Sequence, residues 1–259
     1  MFPDYLKAVF KMLSVKNLSK RFNGLSILED FNLTVPKNGF TVLIGPSGCG
    51  KSTLFDLLTG VVSIDQGDIF WFGERVSHLK ENTAYMQQKD LLLPWFSLMD
   101  NALLPARIAG ADIDQSRKKA LSLFERLGIG GFENYMPGEI SGGMRQRCAL
   151  VRTLMFERDL VFLDEPLSAL DAITRRSLQS LLLMLQKDFN KSILMNTHDI
   201  EEALLLADEL LVLTSPPMRI REQFKFDDKK PRNPSDPRLI EIKEYVLSQL
   251  QKDINDEPV

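Results

Sequence analysis

Cysteine is nearly absent from this 259-residue chain, which holds only Cys49 and Cys148. Two cysteines this far apart build no disulfide framework and point to a reducing compartment, the cytosol. With only two histidines, His78 and His198, they also leave no zinc site of the usual ligand spacing. Basic excess is missing as well. The 32 Lys and Arg against 35 Asp and Glu give a formal net charge of -3, which argues against nucleic acid as a partner. No apolar run approaches the ~20 residues that a bilayer crossing needs. The opening Met1-Phe2-Pro3-Asp4-Tyr5 lacks the basic and apolar stretches of a secretory signal, and residues 1 to 11 receive no function. Any membrane role must then come through a partner. Repeats and low-complexity tracts are absent too, so the ordinary apolar and charged fractions describe a globular protein with a substantial core.

Against that background, residues 45 to 53 stand out, reading GPSGCGKST. Gly45, Pro46, Ser47, Gly48, Cys49, Gly50, Lys51, Ser52 and Thr53 fit the phosphate-loop pattern, in which glycines let backbone N–H groups face phosphate oxygens. Lys51 is expected to reach the β- and γ-phosphates and the Ser52 hydroxyl to ligate Mg²⁺. The mostly apolar Phe40-Thr41-Val42-Leu43-Ile44 predicts a short buried strand before the loop, and residues 52 to 58 a helix after it. The positive end of that helix adds to the attraction for an anion. Alone, the motif says only that a nucleotide phosphate is bound.

Strand character continues around it, at Met12 to Leu18 and Ile27 to Val35. Asp65-Gln66-Gly67-Asp68 reads as a turn into a strand at 69 to 72. Residues 89 to 149 differ: Ala120, Phe124 and Leu127 at helical spacing, closed by Gly128, predict a helical insertion. Alternating elements follow. An apolar strand spans Leu160 to Leu163, and a helix carries Leu178, Leu182 and Leu185 on one face. Then come a strand at 192 to 196, a helix at 200 to 207 and a strand at 210 to 214. A Pro-rich linker from 216 leads to a last helix with Leu239, Ile242, Val246 and Leu250 on one side.

Two acidic residues end the 160 to 163 strand. At the C-terminal end of a parallel strand, Asp164 would hold Mg²⁺ through water, and Glu165 would orient and deprotonate the attacking water. His198 follows the next strand on the same sheet edge, which favours a catalytic role over a structural one. His78 lies in a polar stretch and is given no role.

A second anion site is written roughly 90 residues further on, at ISGGMRQR. Ser141 is a good N-cap, and Gly142 and Gly143 expose backbone N–H groups at a positive helix end. One nucleotide does not need both sites from one chain. Two chains face to face, each offering its helix end to the other's ATP, satisfy both sites by two-fold symmetry.

The ordered set GPSGCGKST, Gln87, ISGGMRQR, LVFLDEP, SALD and THD closely resembles the ATP-binding subunit of ABC transporters, over about Met12 to Leu250. The resemblance implies an α/β fold: a P-loop NTPase core (a RecA-like, mostly parallel sheet with helices), an N-terminal antiparallel β subdomain, and a helical insertion carrying the signature motif. It implies one ATP-binding domain over 12–250, with its core at about 12–88 and 150–215 and its helical part at about 89–149. Residues 216–259 follow as linker and short helix. It further implies that Phe22 stacks on adenine and that Gln87 contacts Mg²⁺ and links the insertion to the core. Ser141 and Gly143 would touch the partner's γ-phosphate, Asp171 would lie at the dimer seam, and His198 would sense the γ-phosphate. Ile140 stands where leucine is usual and Arg158 where proline often stands, and neither change removes a catalytic group.

Gln87 to Pro105, with its Leu-Leu-Pro-Trp segment and Asp100-Asn101, looks like importers of nitrate, taurine and alkylsulfonates, or thiamine-precursor pyrimidines. Leu91, Leu92, Leu93, Trp95 and Phe96 are too apolar for a solvated loop. They either form a groove for a permease helix or pack within the insertion. The expected protein is therefore a homodimeric, Mg²⁺- and ATP-dependent ATPase lying peripherally on the cytoplasmic face of the inner membrane. Its permease contact would lie near Leu91, Leu92 and Trp95, and a solute-binding protein would act with it indirectly. An exporter subunit and a soluble cluster-assembly ATPase are the alternatives. The absence of long coiled coils and of a second ATPase unit disfavours repair and translation proteins.

Overall fold

The computed structural model describes residues 11–168 and 171–255, with side chains through 252. Most of the stretch 1 to 11, and Ala169 and Leu170 of the SALD motif, lie outside the described residues.

Two sheets carry the chain. The larger orders six strands as β10-β9-β3-β8-β7-β6. Of these, β3 (Phe40–Ile44), β6 (Thr83–Met86), β7 (Leu160–Asp164), β8 (Ser192–Thr197) and β9 (Glu209–Leu213) run parallel, while β10 (Ile220–Lys225) pairs antiparallel with β9. The apolar runs in these strands follow from burial on both faces. Phe40, Val42, Ile44, Val161, Leu163, Ile193, Met195, Leu210 and Val212 pack on one side. Leu43, Leu160, Phe162, Leu194, Leu211 and Leu213 alternate with them and pack on the other.

The second sheet, antiparallel, orders β1 (Lys11–Phe22), β2 (Leu25–Pro36), β4 (Gln66–Trp71) and β5 (Glu74–Val76) as β2-β1-β4-β5. With α1 (Lys51–Thr59) it covers one face of the large sheet, and Phe55 of α1 stacks on Phe162 at 4.8 Å. The opposite face is covered by α2 (Leu98–Ile108), α3 (Ile113–Arg126), α4 (Gly142–Leu154), α5 (Ala172–Asp188), α6 (Ile200–Leu206) and α7 (Pro237–Asn255). Ser97, Asp112, Ser141, Asp171 and Asp199 cap α2 to α6 in turn, each accepting first-turn backbone N–H groups.

Three local expectations need correction. Gly67 sits within β4 rather than in a turn. Its φ is +104° and a Cβ there would stand 2.6 Å from the Asn17 carbonyl, so glycine lets β4 cross close over the irregular middle of β1. The expected Pro-rich linker holds β10, whose partly buried alternation is weaker than that of a central strand. Finally, α4 extends to Leu154, past the boundary expected at 149.

Candidate functional site

Parallel pairing sets the site. Ile44 pairs with Thr197, Asp164 with Asn196, and Met86 with Leu163. The residues just past those pairs, Gly45, His198, Glu165 and Gln87, therefore emerge from the C-terminal edge of four adjacent strands, where open α/β sheets bind ligands.

Gly50 precedes α1 as its N-cap with φ +113°, and no side chain caps that helix, so its first-turn N–H groups are left for a ligand. Gly48 is also left-handed, and a Cβ on it would meet nothing within 4 Å on its open side. Lys51 is buried, and its ammonium donates to the carbonyls of Gly45 at 2.7 Å and Pro46 at 2.9 Å. The loop thus curls around a cation, with Ser52 exposed beside it. Cys49 lies beneath the loop, where burial raises its thiol pKa against the opposing pull of Lys51. The donor set suits a triphosphate.

Asp164 is buried, 4% exposed. It accepts from the Tyr85 hydroxyl at 3.3 Å and the Asn196 amide at 3.2 Å. Burial raises the Tyr85 phenol pKa above its usual range, and the charges of Asp164 and Asp56 add to the shift, so Tyr85 stays protonated and donating. Asp56, on α1, is itself raised by burial and by Asp164, which places all three groups close together.

Glu165 has φ +48°, an unusual conformation for a residue bearing a Cβ, and strain of this kind collects at functional sites. The turn is held by its own N–H donating to the Asn196 carbonyl at 3.1 Å, and by Ser168 donating to its carbonyl. Its carboxylate Oε2 lies 3.2 Å from His198 Nδ1 and accepts from Gln88 Nε2 at 3.0 Å. The structure therefore brings Glu165 and His198 together and adds Gln88, which sequence reasoning missed beside Gln87. Gln87 itself is exposed. Tyr85 and Asn196 were missed too. Asn196 carried a readable signal, being an amide directly after the apolar run Ile193-Leu194-Met195.

Ser141 caps α4 and accepts from Met144 N–H at 3.3 Å, leaving Ser141 and Gly142 exposed. Farther along α4, Gln146 donates to the Pro166 carbonyl at 2.9 Å, joining this helix to the turn after Glu165. Asp171 accepts at one carboxylate oxygen from the N–H groups of Ile173 and Thr174. The Thr174 side chain first, and then these N–H groups, lower its pKa. Phe22 is half-exposed at the end of β1, with the Lys20 ammonium 5.2 Å from its ring. Of the expected permease contacts, Leu91 and Trp95 are exposed, whereas Leu92 is buried in the core below α2 and offers no surface. Among the described residues, no helix is long and apolar enough to cross a membrane.

A phosphate loop, a carboxylate pair and a histidine on one sheet edge, with a glycine-tipped helix nearby in the fold, define a nucleotide-hydrolysing cassette. The chain belongs to the ABC transporter family, whose model matches residues 28–168. It is an ATPase of that family. It is 37% identical over 247 residues to the taurine import ATP-binding protein TauB of Escherichia coli (strain K12), covering 92% of this chain and 97% of that protein. Its identity to TauB of Yersinia pseudotuberculosis serotype I (strain IP32953) is 38% over the same shares. Its fold is similar to that of cbiO1 from Clostridium perfringens, part of the ABC transporter complex cbiONQ. The TM-score is 0.76 and the identity 23%, covering 93% of this chain and 94% of that one. MJ0796, a bacterial ABC transporter cassette with a dimeric structure, matches at a TM-score of 0.76 and 23% identity, covering 84% of this chain and all of that one.

Proposed function

We propose that this chain is the ATPase subunit of an importer of small solutes, acting as a homodimer on the cytoplasmic face of the inner membrane. In that dimer, ATP lies between the 45–53 loop of one copy and Ser141, Gly142 and Gly143 of the other, with Asp171 at the seam and Phe22 against the adenine. The names of its relatives support import over export. Taurine, the solute in those names, makes a small sulfonate the first candidate cargo, ahead of nitrate or a pyrimidine precursor. Selectivity itself belongs to the permease and the solute-binding protein. Leu91 and Trp95 are the residues proposed to face the permease.

The observation that carries this reading is the 3.2 Å contact between Glu165 and His198 on the sheet edge from which the 45–53 loop also leaves. Lys51 and the α1 N-terminus hold the β- and γ-phosphates. A water oxygen then bonds to the γ-phosphorus as the bond to the bridging oxygen breaks, leaving ADP with the electron pair. Glu165 takes the water proton, and His198 holds Glu165 and the γ-phosphate in register. Ser52, Gln87 and Asp164 supply oxygen donors of the kind Mg²⁺ takes, and the ion would neutralise phosphate charge there.

Glu165→Gln tests the proposal. Hydrolysis should fall by about 10² or more, ATP binding should persist, and an ATP-bound dimer should elute ahead of the monomer in size-exclusion chromatography. Normal hydrolysis by this variant would remove Glu165 from its role.

A further inference from the structure

Behind His198 lies a buried polar cluster that the hydrolytic step does not use. Thr197, the last residue of β8, is 2% exposed, and Glu202, on α6, is 4% exposed. The Thr197 hydroxyl donates to Glu202 Oε2 at 2.8 Å and accepts from the Asp199 N–H at 3.1 Å. Thr197 and Asp199 flank His198, so this hydroxyl fixes the backbone on both sides of the histidine. Glu202 also faces Arg175, whose Nε stands 3.5 Å from Oε1, and Arg175 reaches Asp199 at 3.7 Å. Arg175 sits in the first turn of α5, and its own N–H donates to the carbonyl of Asp171, the cap proposed to lie at the dimer seam. The ionisable groups around Glu202 are thus Arg175 from α5 and His198 and Asp199 from its own connection. On the far side of α6, Lys243 of α7 pairs with Glu201 at 3.2 Å.

We propose that Thr197, Glu202 and Arg175 are positioning residues: they fix the His198 turn against Glu165 and tie it to the Asp171 end of α5. The assignment rests on the role of His198 given above. A carboxylate is an expensive group to bury, and hydrogen bonding with a nearby cation is what makes such burial tolerable. Here both partners of Glu202 lie on the two segments whose relative placement sets the histidine. Closure of two copies at Asp171 would therefore reach His198 through one ion pair and one hydroxyl.

The test compares Thr197→Val, which keeps the shape and removes the hydroxyl, with Thr197→Ser, which keeps the hydroxyl. Thr197→Val should lower kcat by about tenfold to a hundredfold, the usual effect of a small misplacement, with KM for ATP within about twofold of the parent on the same ground. Thr197→Ser should restore kcat. Should Thr197→Val fail to fold, Glu202→Gln replaces it and should show the same split, because its amide oxygen still accepts from Thr197 while the charge facing Arg175 is lost. His198→Ala, measured alongside, separates the two assignments. A dead His198→Ala with a normal Thr197→Val or Glu202→Gln overturns only the positioning role. An active His198→Ala overturns the histidine's role and this inference with it. Loss of kcat and affinity together, or no rescue by serine, would mean that the cluster is merely structural.

Discussion

The Asp90 carboxylate meets the Arg145 guanidinium at 3.1 Å, joining the segment after Gln88 to the helix that begins at Gly142. Arg152, two turns farther along α4, donates to the carbonyls of Asp90 and Leu91 at 2.6 and 2.8 Å. One face of α4 therefore grips a strap that starts at Glu165's partner, Gln88, and ends at exposed Leu91, whose φ is +45°. The ion pair is about one-third exposed on each side, so it is worth only about 1 kcal/mol or less. Arg145 also donates to the Ile140 carbonyl at 3.0 Å, so its loss costs more than the pair alone. Asp90→Ala and Arg145→Ala should each lower stability, Arg145→Ala more. Denaturant melts of the two single mutants and the double mutant should show an interaction of about 0.5–1 kcal/mol. Additive losses would mean that the contact contributes nothing.

Lys51→Ala should abolish ATP binding, measured by titration calorimetry. Its ammonium is the only side-chain cation inside the 45–53 loop, and two backbone carbonyls already aim it inward. Unchanged affinity would contradict the phosphate-loop reading.

The neighbouring apolar residues Leu92 and Trp95 should behave oppositely. Leu92 is in the core, and Leu92→Ala should cost about 2–5 kcal/mol of stability. Trp95 is 68% exposed, and Trp95→Ala should leave stability within about 0.5 kcal/mol of the parent. It should instead weaken co-purification with the permease while leaving basal ATPase intact. The reverse pattern would make Trp95 a packing residue.

Much of this was legible in the residues, for identifiable reasons. The 40–44 strand matched residue for residue, because Phe40, Val42, Leu43 and Ile44, broken only by the β-branched Thr41, run straight into a glycine loop and leave little choice of period or end. Ser141 reads as a cap from its chemistry alone, and it is one. Leu91, Leu92 and Trp95 could not be sorted into surface and core, because the segment 87–97 has no periodicity that assigns a face. Strand β10 was hidden because antiparallel edge pairing to β9 tolerates the polar Arg221, Glu222 and Gln223. Gln88 and Tyr85 were hidden for another reason. Their roles arise only when β6 and β7 lie side by side, a non-local pairing that no short motif encodes.

Glu202 gives a prediction with a defined pH sign. Burial is the main cause that raises its carboxyl pKa from 4.5 to about 7. The Thr197 hydrogen bond opposes this, Asp199 adds to it, and Arg175 and His198 pull it back. Because the folded pKa lies above the unfolded one, the stability this group contributes is fully present below about pH 4.5. It is lost as pH rises through about 7. The full swing is at most a few kcal/mol. Glu202→Gln carries no such titration and resembles the protonated parent. Its stability relative to the parent should therefore rise between pH 5.5 and pH 8, read from denaturant melts at both values. Its kcat should nonetheless fall, since the charge facing Arg175 is gone, a case of stability and activity opposing each other at one residue. A stability difference that stays constant across that range would mean that the Glu202 carboxyl titrates as an exposed one does.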